Sequence, residues 1–404
     1  MIKIVVTTAS LLFLTACSST KNTTGASSSP SVETLPPNSP QYQPAFEGQT
    51  RIGAVSTTTP YSTKIITQAL VKPWSMAALP DGRFLVSEKL GSFRIVSTNG
   101  TVSNKITGVP AVDTAGQGGL LGIALDPDFA SNRMIYFVFS EPVAGGNHAA
   151  VAKARLKNDE TAIENVNVIY RVTPTHNGDK HNGGKLAFNK DGNLFVTTGE
   201  RSDLVTRPLA QDNTTSLGKI LLITKNGQAV TDPLVLIKPN DRPEIFSSGH
   251  RNPLGIAIHP LTGDVWEAEM GPKGGDEINV IRRGVNYGWP IITYGIEYSG
   301  ATIGEGLTKK AGYEQPVYYW DPVISPGGIA FYTGSNIPEW QHNLFVASLS
   351  GKHIIRLVLD GNKVTGEERL ATSENQRFRD VGMGKDGKLY AITDEGRMYS
   401  LGKE

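Results

Sequence analysis

The chain has 404 residues, and 39 Lys and Arg against 38 Asp and Glu leave a formal net charge of +1. That balance argues against the basic face that nucleic acid or an anionic membrane surface demands, and a single cysteine excludes any disulfide within the chain. Its 44 Gly and 24 Pro, spread along the chain, favour many short strands over long helices.

The N-terminus reads as an export signal over residues 1–16. Lys3 is the positive start and Ile4 to Ala16 the apolar stretch, too short for a bilayer span of about 20 residues. It ends in "LTAC", which resembles a bacterial lipobox, with Cys17 as the lipidated residue and the only membrane attachment. Ser18 suits outer-membrane sorting in that pattern, so the expected location is the periplasmic side of the cell envelope, as an outer-membrane lipoprotein. Residues 17–60 are rich in Ser, Thr, Pro and Gly, lack apolar periodicity and are expected to be a flexible tether.

From residue 61 to 404 a phrase recurs: a turn such as Pro-Asp-Gly, a strand, a small residue, a second strand. Copies are "LPDGRFLVSEKLGSFRIVS" (79–97), "LDPDFASNRMIYFVFS" (125–140), "FNKDGNLFVTTGE" (188–200), "IHPLTGDVWEAEMG" (258–271), "SNIPEWQHNLFVASLSGKHIIRLVL" (335–359) and "GKDGKLYAITDEGRMYSLG" (384–402). Spacings of roughly 45–75 residues predict an all-β, six-bladed propeller of about four strands per blade. A sandwich or a pair of barrels does not predict such a period. The one short helical turn expected lies near 207–218.

Between the repeats lie stretches that the repeat does not explain. "AGQGGLLGIALDPDF" (115–129) places Gln117 in a glycine loop, but a strand follows it, not the helix that a dinucleotide site needs. "DKHNGGKL" (179–186) holds His181, which can take a proton near neutrality. "GHRNPLG" (249–255) packs Arg251 and Asn252 beside His250, and "GPKGGDEIN" (271–279) sets acids among glycines, a source of oxygen ligands for a hard cation such as Ca²⁺. In "RFRDV" (377–381), Arg377 and Arg379 alternate onto one face of a strand and suit a planar, multiply anionic ligand. There is no Gly-x-Ser-x-Gly elbow, and His176 and His181 lack the partners of a zinc site.

Together, "GQGGLLG", "HNGGKL", "GHRNPLG", "GPKGGDEIN", "NYGWP" and "RFRDV" resemble the soluble glucose/sorbosone dehydrogenase family, which depends on pyrroloquinoline quinone (PQQ), over about residues 65–402; the aldose sugar dehydrogenase branch is the nearer one. The resemblance implies a six-bladed propeller that oxidises aldoses at C1 to lactones. It implies His181 as general base, with Arg251 stabilising charge on the quinone. It also implies cofactor contacts from Gln117, Arg251, Asn252, Tyr298, Ser348, Ser350, Lys352, Arg377 and Arg379. It implies Gly271 and Pro272 carbonyls on a Ca²⁺ that touches the quinone, and Glu277 and Tyr287 at a second, structural Ca²⁺. Three positions depart from the family. Lys180 replaces an acid, Arg201 a cofactor-side glutamine and Ser350 a PQQ-contacting lysine, for which Lys352 is a substitute within reach. The aldose, the electron acceptor and the choice between monomer and homodimer are not specified. Two other classes fit a propeller: a lactone hydrolase with one cation, which gives the arginine pair no role, and a sugar-binding module without catalysis.

Overall fold

The computed structural model describes Met1, residues 29–233 and residues 238–403. The expected signal segment beyond Met1 and the lipidation site Cys17 lie outside the described residues. Among those described, no helix is long and apolar enough to cross a membrane.

Six antiparallel sheets form the ring, five of four strands and one of three. Their innermost strands are Pro73–Ala78, Leu120–Leu125, Gly183–Phe188, Pro253–Ile258, Pro326–Phe331 and Phe378–Met383, which open blades 1 to 6 in turn. Each touches the next, and the sixth touches the first. Close approach at the axis needs small residues. A Cβ on Gly122 would lie 2.1 Å from the Gly184 carbonyl oxygen of the neighbouring blade. The second strands, such as Leu194–Thr198 and Leu344–Ser348, are buried throughout because they are covered on both faces by adjacent blades. Apolar clusters therefore lie between blades; Phe93 of blade 1 meets Phe137 of blade 2 edge-on at 5.5 Å.

The repeated turn is the hairpin between first and second strands. In "LPDGR" the Leu79 N–H donates to the Arg83 carbonyl at 2.7 Å, and Gly82 takes φ +90°, a conformation costly for any residue with a side chain. The expected six blades are present, with one departure. Blade 1 has three strands, and its outer edge is covered only by the isolated bridges Phe93–Ile106 and Val96–Val102. The ring closes through Ser62–Thr67, which pairs with Met398–Gly402 of blade 6. The expected helical turn is a 3₁₀ turn at Arg207–Gln211, and Phe129–Asn132, Pro338–Trp340 and Thr372–Glu374 add further short helical turns that were not expected.

The tether expected to run to residue 60 is corrected from residue 29 onward. The Asn38 and Ser39 N–H groups donate to the two carboxylate oxygens of Asp321 at 2.7 and 2.9 Å. Arg51 donates to the Asp321 carbonyl at 2.6 Å, Ala54 bridges to Glu367, and the Thr57 N–H donates to Glu368 at 2.7 Å. Residues 29–60 are thus a strap over blades 4 and 5, held by side chains distant in sequence.

Candidate active site

First and second strands run antiparallel, so the start of each first strand and the end of each second strand lie at the same mouth of the ring. Gln117, His181, Arg251, Asn252, Ser325 and Arg377 stand just ahead of first strands. Lys89, Glu200, Met270, Leu349 and Asp394 stand just after second strands. One cavity of about 320 Å³ opens there, walled by Trp74, Lys89, Gln117, Asn182, Tyr298 and both Arg377 and Arg379, among others.

His181 is held in a left-handed conformation, φ +47°, unusual for a residue other than glycine. Gln117 fixes it by accepting its backbone N–H at 2.8 Å. Across the hairpin, a Cβ on Gly199 would lie 2.2 Å from the His181 carbonyl oxygen, so the loop folds over bare backbone. The ring Nδ1 meets Glu200 Oε1 at 2.7 Å, both side chains being buried. Burial, with the nearby charges of Arg251, Arg201, Lys180 and Arg207, pushes the imidazole pKa well below its ordinary value. Burial likewise pushes Glu200 up to about 7. Above that pH the pair holds one proton on Nδ1, and Nε2 carries a free lone pair.

Arg251 is pinned from three sides. Its backbone N–H donates to Glu269 at 2.5 Å, Nη1 donates to the carbonyls of Met270 at 2.9 Å and Gly271 at 2.7 Å, and the guanidinium lies 5.3 Å over the Trp289 ring. Asn252 is fully buried and accepts the Gly183 N–H at 3.2 Å. Tyr298, largely exposed, forms the rim, 3.5 Å from Arg251. On the far wall Asp394 holds both arginines: Arg377 Nε donates to it at 2.9 Å and Arg379 Nε at 2.7 Å.

Gly271, Pro272, Glu277 and Tyr287 line a second, ion-sized space of about 10 Å³, together with Glu269 and Arg251. Residues expected at two calcium sites thus border a single space. Asn279 donates to Glu267, Glu269 and Glu277 at 3.1, 3.4 and 3.3 Å, which gathers three carboxylates, while Glu267 Oε1 and Asn279 Oδ1 are buried with no partner. The Tyr287 hydroxyl is committed, donating to the Val280 carbonyl at 2.6 Å and accepting the Arg282 N–H at 2.9 Å, so only its main chain is available to an ion.

Other expected residues lie elsewhere. Ser348 is buried beneath the mouth, its hydroxyl donating to the Ile324 carbonyl at 2.9 Å. Ser350 is exposed and donates to Ser325, itself a wall residue, at 2.8 Å. Lys352 is exposed and does not line the cavity. Arg201 is turned away from the cavity into the loop, donating to Asn182, to Asn147 at 2.5 Å and to the Gly178 carbonyl; burial pushes its pKa down to about 10. Glu200, Asp394 and Lys89 are additions. Each follows a second strand, and that recurrent position was the available signal.

Similarity to known proteins bears on the assignment. The glucose/sorbosone dehydrogenase family model matches residues 70–400. The aldose sugar dehydrogenase YliI of Escherichia coli is 39% identical over 335 residues, 82% of this chain and 90% of that protein. A crystal structure of a glucose dehydrogenase is 41% identical with a TM-score of 0.81, covering 85% of this chain and 99% of that one. The PQQ-bound form of an aldose sugar dehydrogenase from Streptomyces coelicolor is 30% identical with a TM-score of 0.69, covering 86% of this chain and 99% of that one. The chain belongs to the glucose/sorbosone dehydrogenase family.

Proposed function

We propose that the protein is a PQQ- and Ca²⁺-dependent aldose sugar dehydrogenase that oxidises the sugar at C1 to the lactone. The observation that carries this is a buried imidazole, joined to Glu200 through Nδ1 and without a protein partner at Nε2, beside a cavity whose far wall is cationic. A tricarboxylate quinone fits that wall, since Arg377, Arg379 and Lys89 outnumber the single carboxylate of Asp394. A hard dication fits the space bordered by Glu269, Glu277, Gly271 and Pro272, because Asn279 gathers those two carboxylates with Glu267, whose Oε1 is buried without a partner.

When bound, PQQ supplies the hydride acceptor and Ca²⁺ the polarisation of its carbonyl. The chain's part is proton handling and placement. Nε2 of His181 takes the proton of the anomeric hydroxyl, while Glu200 holds Nδ1–H and accepts the charge that develops on the ring. Arg251, fixed by Glu269 and two carbonyls, directs its remaining N–H groups to negative charge forming near the rim. The open mouth, with Tyr298 on its edge, admits the sugar. In this reading Cys17 carries the lipid that keeps the enzyme on the periplasmic side of the envelope, at the outer membrane. A lactone hydrolase leaves the Arg377–Arg379 pair without a task.

The test is spectroscopic. Apo-protein mixed with PQQ and Ca²⁺ gains a visible absorption band that bleaches on adding an aldose. A band that no aldose changes would favour a binding module, and no band at all would end the PQQ assignment.

A further inference from the structure

The family position for a PQQ-contacting lysine holds Ser350, and the nearby Lys352 does not line the cavity. The cavity nevertheless contains a lysine. Lys89 follows the second strand of blade 1 and lines the cavity alongside Arg377 and Arg379. Its backbone is locked: the N–H donates to the Lys72 carbonyl at 3.0 Å, and its carbonyl accepts the Leu120 N–H at 2.9 Å. Its side chain is only half-buried, and Nζ donates to the Gly116 carbonyl at 2.6 Å, beside Gln117. Among the described residues no carboxylate lies within ion-pair distance of this ammonium: Asp394 and Asp179 act on it only from farther off, and Asp394 is taken by both arginines. A cation that borders an anion-sized cavity, gives one bond to a neutral carbonyl and has no direct ion pair is poised to accept one from a ligand.

We infer that Lys89 is a cofactor-binding residue that supplies, from blade 1, the ammonium that Ser350 cannot. It would exchange the Gly116 carbonyl for a carboxylate of PQQ, giving the ligand cations from two neighbouring blades. The inference rests on the PQQ reading above.

The experiment is a titration of apo-protein with PQQ in Ca²⁺, read by quenching of tryptophan fluorescence; Trp74 lines the same cavity. For Lys89→Gln the Kd is expected to rise about tenfold to a hundredfold, the usual effect of losing one charge-assisted hydrogen bond. Lys89→Arg is expected to stay within about threefold of wild type, as is Lys105→Gln, which removes an equal charge from the exposed outer side of the same blade, where Lys105 borders neither cavity at the mouth. Undiminished binding by Lys89→Gln would overturn the inference and leave the PQQ reading intact. Equal weakening by Lys105→Gln would also overturn it, because the effect would then be long-range charge. Absence of PQQ binding by the wild type would overturn both.

Discussion

Blades 3 and 4 each carry a histidine ahead of the first strand and a glutamate 19 residues later, joined through Nδ1. His181 meets Glu200 at 2.7 Å, and His250 meets Glu269 at 3.1 Å. They differ at the other nitrogen. In His250, Nε2 is bonded to the Ser247 hydroxyl at 2.8 Å, and the ring is fully buried and stacked on Tyr287. In His181, Nε2 has no protein partner among the described residues, and the two residues that follow it, Asn182 and Gly183, wall the cavity. The same pair is therefore a strut in one blade and a proposed base in the next. What separates them is the second ring nitrogen, not the His–Glu contact.

Removing each histidine breaks the comparison most severely. His181→Ala is expected to lower kcat by about 10²–10⁴ with PQQ affinity retained. His250→Ala, which strands buried Glu269, is expected to cost about 2–4 kcal/mol of stability in denaturant melts, while kcat of the surviving folded enzyme falls less than about tenfold through the loosened anchor of Arg251. Equal kinetic loss in both would erase the distinction.

Glu200→Gln sharpens it. Glu200 sits at about 7, so below that pH the pair takes a second proton and Nε2 is no longer a free base. The wild-type kcat/KM should fall on acidification through about 7. In Glu200→Gln that ionisation is gone and only the depressed imidazole titrates, so the acid limb should move below about 6.5. The plateau should also drop about tenfold or more, for want of a carboxylate to hold the imidazolium. An unshifted limb in a pH–rate profile would assign it to another group.

Chelation comes next in size. Removing Ca²⁺ should lower the Tm by several degrees and weaken PQQ binding, both restored on re-addition, because Glu267, Glu269 and Glu277 are then left close together without a cation. The smallest effect is expected far from the mouth. Asp321→Asn weakens two bonds to the strap and should cost about 1 kcal/mol with kinetics unchanged.

The ring was legible because its hairpin turn recurs: Gly82, Gly192 and Gly387 all take positive φ in the same Asp-Gly context. His181 and the two arginines were legible because they stand outside the repeat, in motifs. Glu200 was not, since in sequence "GE" after a strand reads as a turn acid, and only folding brings it to His181. Asp394 and Lys89 were hidden in the same way, inside copies of the repeat. The strap was misread because its hydrogen bonds go to Asp321, Glu339 and Glu368, which no local pattern reveals.

The most direct measurement is ¹⁵N NMR of the histidine side chains at pH 8. The account predicts that His181 is neutral, with its proton on Nδ1 and Nε2 bare. A His181 that is charged at that pH, or protonated on Nε2, could not be the base, and the proposed oxidation would lose its proton acceptor.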